Sequence, residues 1–212
     1  MTVPADNNDA KLLVSYIVQK NTTSLSTQTS RQKTLNQSRL LQVSGDRNDS
    51  ITPYNGFYGT AIQDKDISLG VADVFKIHGI YEGVGGSDPL PASATFTVSS
   101  GSFSVHEIVK GQTSGARAKL ITSGGSTYYF YYISGTFTDG ESVVGETNSG
   151  VATLSNIAVG SPNIKNNFTF DNGQRDGYYD LCKLRRKTGV PTPTGKLLIL
   201  FDYRFSFFHI RP

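Results

Sequence analysis

Gly101-Ser-Phe-Ser-Val-His-Glu-Ile-Val-Lys-Gly111, followed by Thr113-Ser-Gly-Ala116, decides how this chain folds, because the pattern returns later. The second copy runs Gly135-Thr-Phe-Thr-Asp-Gly-Glu-Ser-Val-Val-Gly145, then Thr147-Asn-Ser-Gly-Val151. Phe103 matches Phe137, Glu107 matches Glu141 and Gly111 matches Gly145, each pair 34 residues apart. A period of that length is familiar from helix-pair repeats. Glycine and β-branched residues are too dense here for helices, so each copy reads as strand, turn, strand, turn. Between the copies, Ser126-Thr-Tyr-Tyr-Phe-Tyr-Tyr-Ile133 places aromatics on both faces of one strand, which suits a strand covered on both sides. The repeat predicts a small β-sandwich or barrel over residues 92–158, with Phe103 and Phe137 in equivalent buried places.

The flanking sequence points the same way. Only 17% of the 212 residues are charged, with 22 Gly, 12 Phe, 11 Tyr and no Trp. Amphipathic helices carry a dense charged face, so this composition favours short strands and tight turns. The expected fold class is mainly β: an antiparallel host β domain from residues 51–91 and 159–212, the inserted module at 92–158, and an N-terminal arm, extended or partly helical, over 1–50. Within the host, Ser68 to Tyr81 reads as one strand, or two with a bend at Gly70. Phe168-Thr-Phe-Asp-Asn-Gly173 reads as a strand entering a hairpin turn. Lys196-Leu-Leu-Ile-Leu-Phe-Asp-Tyr203 is the most apolar strand.

Charge and chemistry exclude more than they suggest. The net charge of +3 is small, and the basic run Lys183, Arg185, Arg186, Lys187 has neither recognition helix nor aromatic-lined groove beside it, so no nucleic-acid partner is expected. Lys11 to Val18 is too short to span a bilayer and lacks signal-peptide flanks, so no membrane partner is expected either. The single Cys182 forms no intrachain disulfide and has no motif linking it to His78, His106 or His209 as a nucleophile. No catalytic residue, cofactor or metal site is assigned. Asp64 and Asp66 read as turn-capping carboxylates rather than calcium ligands. In Asp171-Asn172-Gly173-Gln-Arg175-Asp176 through Asp180, a tight turn at Asn172-Gly173 with Arg175 forked onto a carboxylate is expected as a structural motif.

Three stretches carry a resemblance. Pro53-Tyr-Asn-Gly-Phe-Tyr-Gly-Thr60 with Asp64-Lys-Asp-Ile-Ser-Leu-Gly-Val-Ala-Asp73, then Gly160-Ser-Pro-Asn-Ile-Lys165, then Phe170 to Asp180 with Leu198-Ile-Leu-Phe-Asp-Tyr203, resemble virion structural proteins of the tail-fibre or baseplate type in contractile-tailed phages of marine cyanobacteria and relatives. The resemblance implies a non-enzymatic virion component, made in the host cytoplasm and acting through contacts with other virion proteins in a homo-oligomer or hetero-assembly. Candidate subunit contacts are Leu12, Val14, Tyr16 and Val18 in the arm and Phe205, Phe207, Phe208 and Ile210 at the other end. The alternative is a carbohydrate-binding adhesin that touches host surface glycans through Tyr128–Tyr132 and the module's loops. A third reading, an enzyme acting on surface polysaccharide, needs paired carboxylates in an open groove.

Overall fold

The computed structural model describes residues 32–45, 60–176 and 180–207. In chain order the strands are β1 (Gln32–Val43), β2 (Asp66–Ser68), β3 (Val74–Glu82), β4 (Ala92–Ser100), β5 (Ile108–Gly111) and β6 (Arg117–Gly124). They continue as β7 (Thr127–Ser134), β8 (Ser142–Gly145), β9 (Val151–Ala158), β10 (Phe168–Asp171), β11 (Lys183–Arg186) and β12 (Leu197–Phe207). A single 3-10 turn, Lys165–Asn167, is the only helical element among the described residues. The protein is mainly β, with every strand pair antiparallel.

β4 to β9 close a six-stranded barrel in the order β4-β7-β6-β5-β8-β9. The repeat explains the closure. Exchanging β4 with β7, β5 with β8 and β6 with β9 leaves every neighbour relation unchanged, so the barrel has a pseudo-twofold built from two three-strand copies. The ring packing follows the same operator. Phe103 stands edge-on to Phe96 with centroids 5.3 Å apart, and Phe137 stands edge-on to Phe130 at 5.4 Å. Phe137 is buried, whereas Phe103 is only partly so at its end of the shared core. Along β7, Tyr128, Phe130 and Tyr132 point into that core while Tyr131 points out of the barrel into a second cluster. The strand is covered on both sides for this reason.

Outside the barrel lie two three-stranded sheets, β1-β12-β3 and β10-β11-β2. They bury one core between them that includes Leu41, Ile67, Leu69, Ile80, Leu184, Ile199 and Phe201. β12 is central in its sheet and has two buried faces. Leu197, Ile199 and Phe201 enter the host core, and Leu198 and Leu200 enter the cluster shared with Tyr131 and Ile121 of the barrel. A strand buried on both faces must be apolar nearly throughout, which accounts for the composition of 196–203.

Several expectations change. Residues 32–43, expected in an arm needing a partner for order, instead pair with β12 of the same chain, from Gln32 opposite Phe207 to Val43 opposite Leu197. The backbones of Phe205 and Phe207 pair inside this chain, and their side chains, expected as subunit contacts, lie outside what the structure describes. Leu12, Val14, Tyr16, Val18, Phe208 and Ile210 lie outside the described residues, as do Pro53 to Gly59. Gly70, at φ +67°, separates β2 and β3, which enter different sheets. β10 does form a hairpin with β11, but through the long connection from Asn172 to Cys182 rather than a two-residue turn. The side chains of Asp171 and Asn172 hydrogen-bond the backbone two residues on, at Gly173 and Gln174, and so favour a wider loop.

The pseudo-symmetry has an energetic consequence. Leu120 and Leu154 are equivalent, and both are fully buried in the barrel core. Leu120→Ala and Leu154→Ala should each destabilise the protein by about 2–5 kcal/mol, with similar values for the two sites. Urea unfolding of the variants measures this. A large loss at one position and none at the other would contradict the equivalence.

Candidate functional site

Two groups of buried polar side chains stand out, one inside the barrel and one where the barrel meets the host sheet. In the barrel, Glu107 and Glu141 are almost fully buried. Each carboxylate holds its own turn and the other copy's turn. Glu107 accepts the N–H of Ser104 at 3.0 Å, then reaches across to accept those of Thr147 (2.9 Å) and Asn148 (2.7 Å). Glu141 accepts the N–H of Thr138 at 2.6 Å and crosses the other way to Thr113 (3.2 Å) and Ser114 (3.0 Å). The exchange is reciprocal, so neither copy can close its turns alone.

The matched glycines follow from the same contact. A Cβ on Gly111 would sit 2.5 Å from Glu141 Oε2, and one on Gly145 would strike Glu107 Oε1 in the same way. Burial pushes both glutamates up, but the converging N–H donors outweigh it and leave both below the usual carboxylate range.

The second group lies at the seam between barrel and host sheet. His78 Nε2 is 2.8 Å from Asp202 Oδ2, and Asp202 Oδ1 accepts the N–H of Ser38 at 2.7 Å. An ionised carboxylate only accepts, so Nε2 carries the proton that it donates. Tyr131 of β7 lies over the imidazole with ring centroids 4.3 Å apart, its hydroxyl 3.5 Å from Nε2. Lys119 of β6 donates to Gln37 of β1, which adds a further tie between the units. Around this polar row pack Tyr81, Ile121, Leu198 and Leu200, and burying each such apolar side chain is worth about 1.5–3 kcal/mol.

Serine, histidine and aspartate thus meet here, yet the geometry is not that of a nucleophile. Ser38 contributes its backbone N–H rather than its hydroxyl, and His78 spends Nε2 on the aspartate. The His78 and Asp202 side chains are only 4% and 8% exposed, so no substrate reaches them. Burial lowers the His78 pKa, with Lys76 and Lys119 adding to the effect and Asp202 opposing it. The Tyr81 hydroxyl is pushed up to about 12 by burial.

The Asp171–Asp180 motif, the carboxylates Asp64 and Asp66, and Cys182 lie apart from both groups. Arg175 forks onto Asp171 at 3.0 and 2.9 Å, with Asp180 more distant at 3.9 Å. The guanidinium, helped by the Gly173 N–H, holds Asp171 at about 2. Both side chains are about one-third exposed, so solvent screening keeps the pair's stabilisation small. Gly173, at φ +70°, sits in the long loop rather than in a tight hairpin turn, and Asp176 is exposed. Asp64 caps a turn through the Ala61 N–H at 2.9 Å, and Asp66 forks onto Arg185 at 2.7 and 2.8 Å. Cys182 is buried in the host core with its thiol pushed up by burial. An open hollow of about 390 Å³ is lined by Glu82, Gly83, Val84, Pro162 and Thr194. Its one carboxylate is occupied by the backbone N–H groups of Thr194 and Gly195. Tyr128 and Tyr132 pack partly buried against the barrel core, and Tyr131 is buried on the other side against the host sheet.

Sequence reading missed the seam because its members are scattered through ordinary strands. The available signal was a break in the repeat. His106 stands where the second copy has Gly140, and both hold positive φ, 72° and 80°.

The glutamates give a signed prediction. Glu107→Gln and Glu141→Gln should each cost about 1–3 kcal/mol at pH 7, since a hydrogen-bonded carboxylate is replaced by a mismatched amide. The folded-state pKa values are lowered, so the carboxylates' contribution is present above the ordinary 4.5 and is lost as pH falls through the folded-state value. Urea melts at stepped pH should show the variants converging on wild type in acid, and a pH-independent difference would contradict the ionised locks.

No protein-family model, curated protein or solved structure matches this chain.

Proposed function

We propose that the chain is a structural component of a phage virion, in the tail, baseplate or tail fibre, and that it works through contacts between subunits. The resemblance of 53–60 with 64–73, of 160–165, and of 170–180 with 198–203 to virion proteins supports the virion setting. Support for the mode of action comes from exposed apolar side chains among the described residues. β1 is twelve residues long and pairs with β12 along one side. Leu35, on the same strand, is nearly half exposed.

The buried ionisable groups fit this reading. Glu107, Glu141, His78 and Asp202 are used to hold parts of the molecule together. Fastening of this kind suits a component whose work is to keep its shape among neighbours. Further apolar surface at Val84, Leu90 and Val159, all more than half exposed, lies near the segments that enter and leave the barrel and offers a second contact area.

Sedimentation velocity at micromolar concentration tests the assembly claim. The 23.0 kDa chain is expected to run as an oligomer. Leu35→Lys, which places a charge on exposed apolar surface, should shift it towards monomer without changing its melting temperature. A well-behaved monomer, together with absence of the chain from purified particles by mass spectrometry, would overturn the reading.

A further inference from the structure

We infer that the seam is an acid-sensitive latch: protonation of His78 and His106 loosens the host sheet's hold on the barrel, while the barrel itself stays closed. The inference does not depend on the virion reading.

The placement of histidine carries it. His78 lies at this seam, and the N–H of His106 bonds Leu120 O at 3.0 Å, between the seam residues Lys119 and Ile121. His106 occupies a left-handed position that its counterpart fills with Gly140, a conformation that glycine adopts freely and histidine adopts at a cost. Its Nδ1 is buried without a hydrogen-bond partner among the described residues, and it feels the charges of Lys119 and Asp202. The barrel's other copy supplies a comparison. Tyr131, Lys119 and Ile121 correspond to Thr97, Thr153 and Ser155, so the residues that grip the host belong to one face alone. The tether is suited to movement. The barrel joins the host through two adjacent segments, and these bond to each other through the Ser161 N–H on Leu90 O at 2.8 Å and the Leu90 N–H on Ser161 Oγ at 3.0 Å.

The charges around the histidines set the direction. A second proton on His78 goes to Nδ1 and places an imidazolium in a buried seam, with Lys76 on its own strand and Lys119 facing it from β6. Asp202 attracts that charge but is already shared with the Ser38 N–H. His106 has the same opponents, burial first and then Lys119, with Asp202 in favour. Tyr81 and Tyr131, raised by burial, titrate far above this range. Both histidines are lowered, so the closed seam binds fewer protons than the open one. Its stability is full above the ordinary value of 6.5 and falls as pH drops below it. Glu107 and Glu141, held below their ordinary value, stay ionised in that window and keep the barrel locked.

Hydrogen exchange of the full chain at pH 7.5 and 5.5, corrected for intrinsic rates, is the test. Amides of 76–81, 119–121, 129–132 and 198–202 should exchange faster at pH 5.5. The ceiling is about tenfold per histidine, because that pH lies one unit below the ordinary value. Amides of 141–145 and 151–154 should not change. In His78→Gln/His106→Gly the response should vanish, since Gln still donates to Asp202 and Gly suits the positive φ. Should the double variant fail to fold, His106→Gly alone should fold and show a reduced response. Acceleration spread evenly over the chain, or undiminished in a folded variant, would overturn the latch.

Discussion

Everything in this molecule leans on β12. It is the central strand of its sheet, one face in the host core and the other against the barrel. Leu197, Ile199 and Phe201 on one side and Leu198 and Leu200 on the other make it the wall that the two units share. Near the end of the apolar run, Asp202 turns the same alternation to polar use by holding β1 through Ser38 and β3 through His78. A buried carboxylate is costly unless its acceptor sites are filled, and here two different strands fill them. The strand that joins the hydrophobic layers therefore also carries the polar joint.

The barrel solves a separate problem. Sixty-odd residues bury only a modest core, and its turns are rich in glycine and in small polar residues. Reciprocal capping by Glu107 and Glu141 makes the two halves depend on each other, so that closure brings hydrogen-bonded order to four turns together. Gly111 and Gly145 leave room for the carboxylates. Exchange between duplicated halves links a repeat, visible as spaced Phe, Glu and Gly, to a closed structure without sheet edges.

Much of this was legible in the residues, and the limits are instructive. The spacing from Phe103 to Phe137 announced a duplicated β unit, and the density of glycine excluded helices. The apolar run at 196–203 announced the most apolar strand, and the structure shows that both its faces are buried. Arg175 beside three aspartates announced an ion pair within one loop. Pairing between distant strands was not legible. Gln32–Val43 is polar enough to read as a loose arm, and only β12 beside it makes it a strand. The seam was hidden for the same reason, because His78, Tyr131 and Asp202 sit in three strands far apart in the chain and follow no motif. Comparing the repeat's copies for what differs, rather than for what agrees, would have pointed to His106 and Tyr131.

The central claim is that the barrel is fastened to the host sheet through a direct contact beside β12, and the ring pair His78–Tyr131 is its most specific element. A double-mutant cycle with His78→Ala, Tyr131→Ala and the combined variant, followed by urea unfolding at pH 7.5, measures that contact. Coupling of about 0.5–3 kcal/mol is the predicted result. Additivity to within about 0.3 kcal/mol would mean that the two rings do not interact, and the shared-wall account would then fail.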